Sequence, residues 1–389
     1  MSSDDVPTLS LFANDPFRRI LNSVKLAKDR KVRYVILLPI VFLLSWLVPF
    51  LLCLYEHHLV TENILQSFLY APSPSIETIV FLLLLIAEPI IDEHIANAGH
   101  NFSDSGILND HSIYTRLARQ VARLHEAVFP EIILFALACL IVVGTQWASL
   151  QERIPRWDVD VVGGHAQFTI AGWWCAIVRL PLWQYIWLRW IWKFAIWVSF
   201  LIGISKAKLQ LPSGHPDQCG GLGFLGKVQA SFGTLIFAMG MVLAANVYRQ
   251  IVQEHISSWN VAGGVVSFAI LAPIVFLSPL FLFTRQLYLV KQEGLTRYEI
   301  LLTQFIHRFE TGHLPAIAGD EKAPPTLADL AAISSLETLH SHVSRMRIVP
   351  FDLESLIRLL ISTGAPVLSL IVSELPWPAI RELLNTILR

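Results

Sequence analysis

Histidine and carboxylate side chains gather at three places in this sequence. The stretch LPSGHPDQCGGLGFLG, residues 211–226, carries His215 and Asp217 among five glycines. The stretches AEPIIDEHIANAGH and LHEAVFPE supply the other members of a candidate polar site: Glu88, Asp92, His94, His125 and Glu131. Imidazoles and carboxylates that converge at one level are what acid–base catalysis or metal binding requires. Glu88 and Asp92, four residues apart, would share one face of a helix.

The same residues also have a purely structural interpretation. The ends of membrane helices are normally polar, and their side chains often cap the helix or meet lipid headgroups. Asp217 would then accept backbone N–H groups within its own loop, and His215 would be an ordinary surface residue. The sequence contains no zinc or di-metal spacing such as H-E-x-x-H, so it identifies no metal ion and no cofactor.

The glycines of this stretch, Gly220, Gly221, Gly223 and Gly226, admit three interpretations. GLGFLG matches the dinucleotide pattern G-x-G-x-x-G, but an apolar helix precedes it where that fold needs a strand. Free N–H groups at the start of the next helix would suit an anion. Close packing of the loop against helices is the interpretation we favour, because glycine lacks a side chain that would obstruct it.

These residues must be held by membrane helices. The chain has 389 residues, of which 54% are hydrophobic and 15% are charged, whereas soluble domains carry about 25% charge. Apolar runs of about 20 residues are typical of bilayer-crossing helices. The sequence therefore predicts an all-α, polytopic transmembrane bundle whose immediate partner is the lipid bilayer. The six predicted crossings are 34–55, 76–93, 128–148, 181–204, 231–250 and 261–284.

Lysine and arginine residues set the predicted orientation, because they concentrate on the cytoplasmic side. Seven of them precede the first crossing, which assigns segment 1–33 to the cytoplasm. Residues 56–78 contain none and are predicted to lie outside. Arg153 and Arg156 fit this topology poorly, since they fall in an outside connection. The formal net charge of −1 argues against nucleic-acid binding.

The apolar run 168–204 is longer than one crossing needs. As a single helix it would measure about 55 Å, against about 30 Å for the hydrocarbon core. Proline is tolerated in the first turn of a helix. We therefore expect the fourth crossing to begin at Pro181 and residues 165–180 to be interfacial or re-entrant.

The transmembrane domain, residues 34–284, is followed by a mainly helical region, 285–389, that is cytoplasmic or membrane-associated. Residues 285–312 are predicted to continue the sixth helix into water. GHLPAIAGDEKAPPT is a linker by its proline and glycine content, and a helix near 327–345 follows it. The apolar run 353–374 fits either a seventh crossing or a helix packed on the membrane face.

Two cations fall inside the fourth predicted crossing, where ionisable groups are costly and usually functional or paired. Arg189 and Lys193 lie one turn apart on one face, and tryptophans on another face are expected to anchor the helix in lipid. Glu88 and Lys193 each lie about 12 residues, or 18 Å, into their helices. This equal depth predicts a Glu88–Lys193 pair. Arg189 and Lys193 could also line an anion pathway, for which a homo-oligomeric ring would be natural.

Two short motifs carry a resemblance to a known group of proteins. The first is GHPDQCGGLGFLG followed by Gln229 and Phe232, and the second is MRIVPFDLESLIRLL near the end of the chain. Together they resemble a family of bacterial polytopic membrane proteins whose activity is uncharacterised. The resemblance implies a bacterial inner membrane and does not indicate any chemical activity.

The sequence leaves three functions open. A channel or transporter, which we favour, would use the intramembrane charges, the interruption near Pro181 and the glycine-rich loop. A membrane enzyme would use His215 and Asp217 with the acids of the second crossing, around a metal ion if one binds. A scaffold or sensor would meet a cytosolic partner through its C-terminal region.

Overall fold

Long helices make up most of this protein. The structure, a computed structural model, describes residues 9–11, 15–16, 19, 30–56, 72–151, 157–162, 165–252, 257–317 and 327–374. The helices are α1 (Arg30–Phe42), α2 (Val48–Tyr55), α3 (Pro72–Asp104), α4 (His111–Glu126), α5 (Val128–Gln151), α6 (Ile170–Trp174), α7 (Leu180–Ser205), α8 (Phe224–Ser231), α9 (Gly233–Val252), α10 (Ser258–Leu277), α11 (Thr284–Ile317), α12 (Leu327–Ser344) and α13 (Leu353–Glu374). Two strands, β1 (Val159–Val162) and β2 (His165–Phe168), form an antiparallel hairpin.

Six helical runs among the described residues are long and apolar enough to cross a membrane. They are Ile36–Tyr55, Pro74–Asp104, Val128–Gln151, Ile170–Ser205, Phe224–Ile251 and Asn260–Arg308. Each coincides with one of the six predicted crossings. The prediction of an all-α, polytopic bundle is therefore confirmed, and the chain is a multi-pass integral membrane protein.

The chain connections define two opposite ends of the bundle. At one end, which we call the loop side, the backbone N–H of Gln210 donates to the carbonyl of Ile107, so the connection after α7 lies against the end of α3. At the other end, the hairpin side, the carboxylate of Glu56 accepts from the backbone N–H of Ile170, 2.7 Å away. This bond joins the end of α2 to the start of α6, just after the hairpin.

The predicted start of the fourth crossing at Pro181 is wrong. The helix begins at Ile170, where the side chain of Thr169 caps it by accepting from the N–H of Gly172. It continues through a π-helical turn, Cys175–Arg179, directly into α7. The looser turn accommodates a proline ring that would clash with the carbonyl four residues earlier in a regular helix. Residues 165–180 are thus half of the hairpin followed by continuous helix.

The helix built from α6, the π turn and α7 has 36 residues and is about 54 Å long. Its excess length extends on the loop side, where α4 covers it. There the side chain of Leu117 packs against Gly203. An ideal Cβ atom on Gly203 would lie only 2.5 Å from Leu117 Cδ2. The outer face of α4 exposes Arg116, Arg119 and Arg123. Such a face belongs in water, so the bundle continues beyond the bilayer on the loop side.

The helices predicted in the C-terminal region are present in the described residues. Helix α10 runs through a 3-10 turn, Ser278–Phe283, into α11, and α12 covers the helix predicted near 327–345. Helix α11 extends through the first residues of the predicted linker, to Ile317; residues 318–326 lie outside the described part of the chain.

Helix α13 packs along α8 and α9 and points in the same direction. Gly226, Gly233 and Gly240, which share one face because they are seven residues apart, face Ser355, Ser362 and Pro366 in turn. An ideal Cβ on Gly233 would lie 2.7 Å from the Ser362 hydroxyl oxygen, so glycine permits the close approach. Helix α13 thus lies along a candidate span, and it is not itself among the six described runs that are long and apolar enough to cross a membrane.

Candidate functional site: a buried charge cluster

Four ionisable side chains meet inside the bundle. Arg189 and Lys193 project from α7, Glu88 from α3, and Asp15 from the N-terminal residues; their exposed fractions are 1%, 0%, 3% and 0%. Asp15 Oδ2 lies 2.7 Å from Arg189 Nη2 and 2.8 Å from Lys193 Nζ. Arg189 Nη1 donates to Glu88 Oε1. We call these four residues the charge cluster.

The predicted Glu88–Lys193 pair is corrected by this geometry. Glu88 binds Arg189, and Lys193 binds Asp15. The depth comparison behind the prediction counted residues from Pro181, and the helix begins eleven residues earlier, at Ile170. A difference of one helical turn is enough to exchange the partners, because Arg189 and Lys193 occupy successive turns of one face.

A further acid and phenol extend the cluster. Glu131, in the first turn of α5, is buried and accepts a hydrogen bond from the hydroxyl of Tyr185, with 2.5 Å between the oxygens. Tyr185 lies one turn before Arg189 on α7. Among the described residues, Glu131 Oε1 has no hydrogen-bond partner. The predicted site residue Glu131 therefore belongs with the intramembrane cations, on the α5 side of the cluster.

The two cations of the charge cluster determine the pKa of Asp15. Burial alone would raise the pKa of this carboxyl, because it removes water from the charged form. Arg189 and Lys193 overcome that effect and lower the pKa of Asp15 to about 2. The position that Asp15 occupies consequently favours a negative charge, although it is shielded from solvent.

Asp92 and His125 hold structure near the cluster. Asp92 Oδ1 accepts hydrogen bonds from the hydroxyl of Ser10, at 2.7 Å, and from the backbone N–H of Leu11, at 3.0 Å. His125 Nδ1 lies 3.0 Å from the carbonyl of Val121, one turn earlier in α4. Asp92 thus fixes the N-terminal residues that precede Asp15.

Leu9 and Leu11 are both buried in the main core of the bundle. Leu9 lies over Gly99, where an ideal Cβ would be 2.7 Å from the Cβ atom of Leu9. The N-terminal residues therefore insert between α3 and α4. The sequence assigned residues 1–33 to the cytoplasm and did not predict that Leu9 and Leu11 enter the core.

His94 belongs to another part of the molecule. It lines a groove of about 640 Å³ together with Lys227, Asp352 and Arg358. The groove lies between α3, α8 and the first turns of α13. His94 lies six residues after Glu88, about 120° around the helix, and it lines this groove instead of the charge cluster.

In the loop, Asp217 organises the backbone. Its Oδ1 accepts from the N–H groups of Cys219, at 2.9 Å, and Gly221, at 3.1 Å, and its Oδ2 accepts from Gly223, at 2.9 Å. His215 Nδ1 lies 2.7 Å from Oδ1. Burial would raise the pKa of Asp217, but the three N–H groups and His215 outweigh it and lower that pKa. The structural interpretation of this aspartate agrees with the geometry.

The loop glycines serve packing and backbone conformation. Gly220 and Gly221 adopt φ angles of +60° and +87°, which side chains disfavour. An ideal Cβ on Gly223 would lie 3.1 Å from Asp217 Oδ2, and one on Gly226 would lie 3.0 Å from the Cα of Phe351. The loop closes around its aspartate and lies against the segment before α13.

Arg347 fastens the loop to that segment. Its guanidinium donates to the carbonyl of Asp217, at 3.0 Å, and to the carbonyl of Phe351, at 2.9 Å. Its backbone N–H donates to the carbonyl of Gln218, at 2.7 Å. The two motifs, GHPDQCGGLGFLG and MRIVPFDLESLIRLL, are therefore in direct contact and form one structural unit.

The predicted set of polar residues is thus divided among three places. Glu88 and Glu131 join the cations of α7, His94 lines the groove beside α13, and His215 with Asp217 bind their own loop. These contacts do not form a single solvent-filled pocket with His215 and Asp217 at its rim. Within the described part of the chain, no group of three or more His, Cys, Asp or Glu residues could hold a metal ion.

Sequence reasoning missed Asp15 and Tyr185. One signal was present: two cations inside a bilayer need compensating acids, and Glu88 supplies one negative charge for two positive ones. It also missed a pair on the hairpin side, where the guanidinium of Arg179, in the π turn, donates to the carboxylate of Glu77. Glu77 fell where the predicted outside loop, 56–78, overlaps the second predicted crossing, 76–93, and Arg179 fell in the segment 165–180 that was expected to be interfacial or re-entrant.

Comparison of the chain with protein-family models, with curated proteins and with solved structures finds no match.

Proposed function

We propose that this protein is a channel or transporter that moves a small ion across the bacterial inner membrane, with the charge cluster as its ion-handling site. The observation that supports the proposal is the nearly complete burial of Asp15, Glu88, Arg189 and Lys193 where α3 and α7 cross the bundle. Four charges withdrawn from water at one place are expensive to maintain.

Stability is a poor reason for such a cluster. The desolvation cost of buried ion pairs roughly cancels their attraction, and apolar side chains of equal volume often serve as well or better. In membranes, ionisable residues that face the bundle interior typically mark ion or substrate pathways. A charge cluster drawn from two spanning helices and an N-terminal segment fits that pattern.

An interruption between two helices beside the cluster supports the same function. Ala127 is extended, with φ −68° and ψ 131°, and separates α4 from α5 one turn before Glu131. Transporters build their ion sites at broken helices, because the free backbone groups and the mobile joints occur there.

The proposed orientation has the loop side in the cytoplasm. Arg116, Arg119 and Arg123 on α4, together with the exposed Lys206 and Lys208 after α7, lie on that side. Lysine and arginine concentrate in cytoplasmic loops. Asp15 would then be reached from the cytoplasm.

The test is ion flux in liposomes that contain the purified full-length chain. Lys193→Gln should lower flux at least about tenfold, which corresponds to 1.4 kcal/mol of barrier. Lys208→Gln, which removes an exposed lysine after the same helix, is the matched control and should leave flux unchanged. The proposal would be refuted if Lys193→Gln and Lys208→Gln gave equal ion flux, or if the wild-type protein gave no flux for any ion tried.

A folding control is needed because one unpaired buried charge can unfold the bundle. The double variant Glu88→Gln with Arg189→Gln removes one acid and one base together, so it preserves the charge balance. It should unfold closer to the wild-type temperature than either single variant while losing flux. This result would separate an ion-handling role from a merely structural one.

A further inference from the structure

We infer that Arg189 and Lys193 form a binding site for a small carboxylate or a comparable monovalent anion, and that Asp15 occupies this site as a tethered anion. The inference rests on the proposed function and names its substrate class. It concerns the same residues but makes a separate claim: the carboxylate between the two cations is exchangeable.

The geometry of the two cations is that of a carboxylate site. Both converge on one oxygen, Asp15 Oδ2, at 2.7 and 2.8 Å. Charge-assisted contacts of this length are among the strong polar interactions in proteins, and arginine is especially suited to binding carboxylates. The two side chains project from successive turns of one regular helix, so α7 maintains their spacing whether or not Asp15 is present.

Asp15 and Glu88, the two acids of the charge cluster, belong to different kinds of chain segment. Glu88 belongs to the interior of α3 and cannot leave without that helix. Asp15 lies before the first spanning helix in the chain, and the described residues around it are held by individual contacts. These contacts include Ser10 and Leu11 at Asp92, the two buried leucines, and Arg19, whose backbone N–H donates to the carbonyl of Asp15 and whose side chain lies 3.5 Å from Glu126.

The contacts that hold these residues are separable from the site itself. Arg19 and Glu126 are half-exposed, so that pair is weak. Withdrawal of the N-terminal residues would remove the carboxylate that Arg189 and Lys193 share, while Arg189 would keep its bond to Glu88. An anion from the cytoplasm would then restore the bonds that Asp15 makes. Asp15 therefore acts as an intramolecular competitor of the transported anion.

Chemical rescue tests the site directly. Asp15→Ala removes a carboxylate group that formate matches in size and charge. The variant, as the full chain in detergent, should unfold at a lower temperature than the wild type. Sodium formate should then raise its Tm saturably, and at ten times the Kd the folded-to-unfolded ratio should increase about elevenfold. Sodium chloride at the same ionic strength is the salt control.

Two comparisons decide the result. Formate should leave the wild-type Tm unchanged, because Asp15 already fills the site, and the double variant Asp15→Ala with Lys193→Met should lose the response. Equal effects of formate on the wild type and on Asp15→Ala, or a full response in the double variant, would overturn the inference. Asp15→Ser provides the same measurement should Asp15→Ala fail to fold.

Flux measurements distinguish this inference from the proposed function. Removal of the tethered competitor should increase formate flux through Asp15→Ala relative to the wild type. Rescue by formate without flux in any variant would refute the transport proposal and leave the anion site standing. Flux that depends on Lys193 while formate fails to rescue Asp15→Ala would refute the anion site and leave transport standing.

Discussion

Replacing Asp15 with asparagine tests how much the charge cluster depends on this carboxylate. The substitution keeps the side-chain volume and removes one charge that contacts both Arg189 and Lys193. Arg189 retains its bond to Glu88, whereas Lys193 loses the carboxylate 2.8 Å from its Nζ. Removing one partner of a buried pair costs about 3–5 kcal/mol, because the remaining charge stays in a low-dielectric interior. We expect Asp15→Asn to lose stability in this range.

Equilibrium unfolding of the full chain in detergent, followed by tryptophan fluorescence, measures the effect. Glu354→Gln is the matched control, because Glu354 also pairs with an arginine, Arg358, at 2.5 Å, but both side chains are about two-thirds exposed. Exposed pairs of this spacing contribute about 0.3–0.5 kcal/mol. Equal losses of stability in Asp15→Asn and Glu354→Gln would refute the account of the cluster as a desolvated charge network.

The pH dependence of unfolding supplies a second measurement of the same residue. The pKa of Asp15 is about 2 in the folded protein, below the ordinary value of 3.8. A lowered pKa means that the charged form stabilises the fold above pH 3.8 and that this contribution, about 2 kcal/mol, is lost as the pH falls towards 2. Asp15→Asn should therefore show a smaller loss of stability than the wild type between pH 4 and pH 2. If Asp15→Asn lost as much stability as the wild type between pH 4 and pH 2, the lowered pKa of Asp15 would be contradicted.

Two other predictions concern the loop and the helix seam. Asp217→Asn should destabilise the loop by about 1–3 kcal/mol, because an amide has one acceptor oxygen for three backbone N–H groups. Cys219 is buried, and burial raises the pKa of its thiol to about 11. Maleimide should therefore label Cys219 faster in the variant than in the wild type, and an unchanged labelling rate would contradict this role of Asp217. Gly233→Leu should cost about 1–3 kcal/mol by overpacking against α13. Gly263→Leu, at a helical position with open space around it, should cost nothing in the same thermal unfolding assay, and equal effects would show that α13 does not pack on α9 as described.

The contact between the loop and the segment before α13 gives the C-terminal region a defined role. Arg347 binds the carbonyls of Asp217 and Phe351, and Cys219 Sγ lies 3.4 Å from the carbonyl of Val349. The loop therefore connects the end of α7 with the start of α13.

The sequence by itself determined the six spans and most of the C-terminal helices. Six apolar runs predicted six spans, and the helix α12 and the bounds of α13 followed from local composition, because each run of about 20 apolar residues specifies its own helix in lipid. Arg189 and Lys193 were identifiable as intramembrane charges for the same reason. The aspartate of HPD was interpretable as a turn residue, since its partners are two to six positions away.

Only the tertiary structure decided which charges meet. Asp15 is 174 residues from Arg189 in the chain, and no periodicity relates them. The exchange of partners between Arg189 and Lys193 depended on where one helix starts, which the π turn at Cys175–Arg179 displaced by eleven residues from the expected proline. Local patterns fix what each helix is. Pairing across the bundle depends on the depth and rotation of whole helices against one another, and those are set by packing that no single stretch of sequence contains.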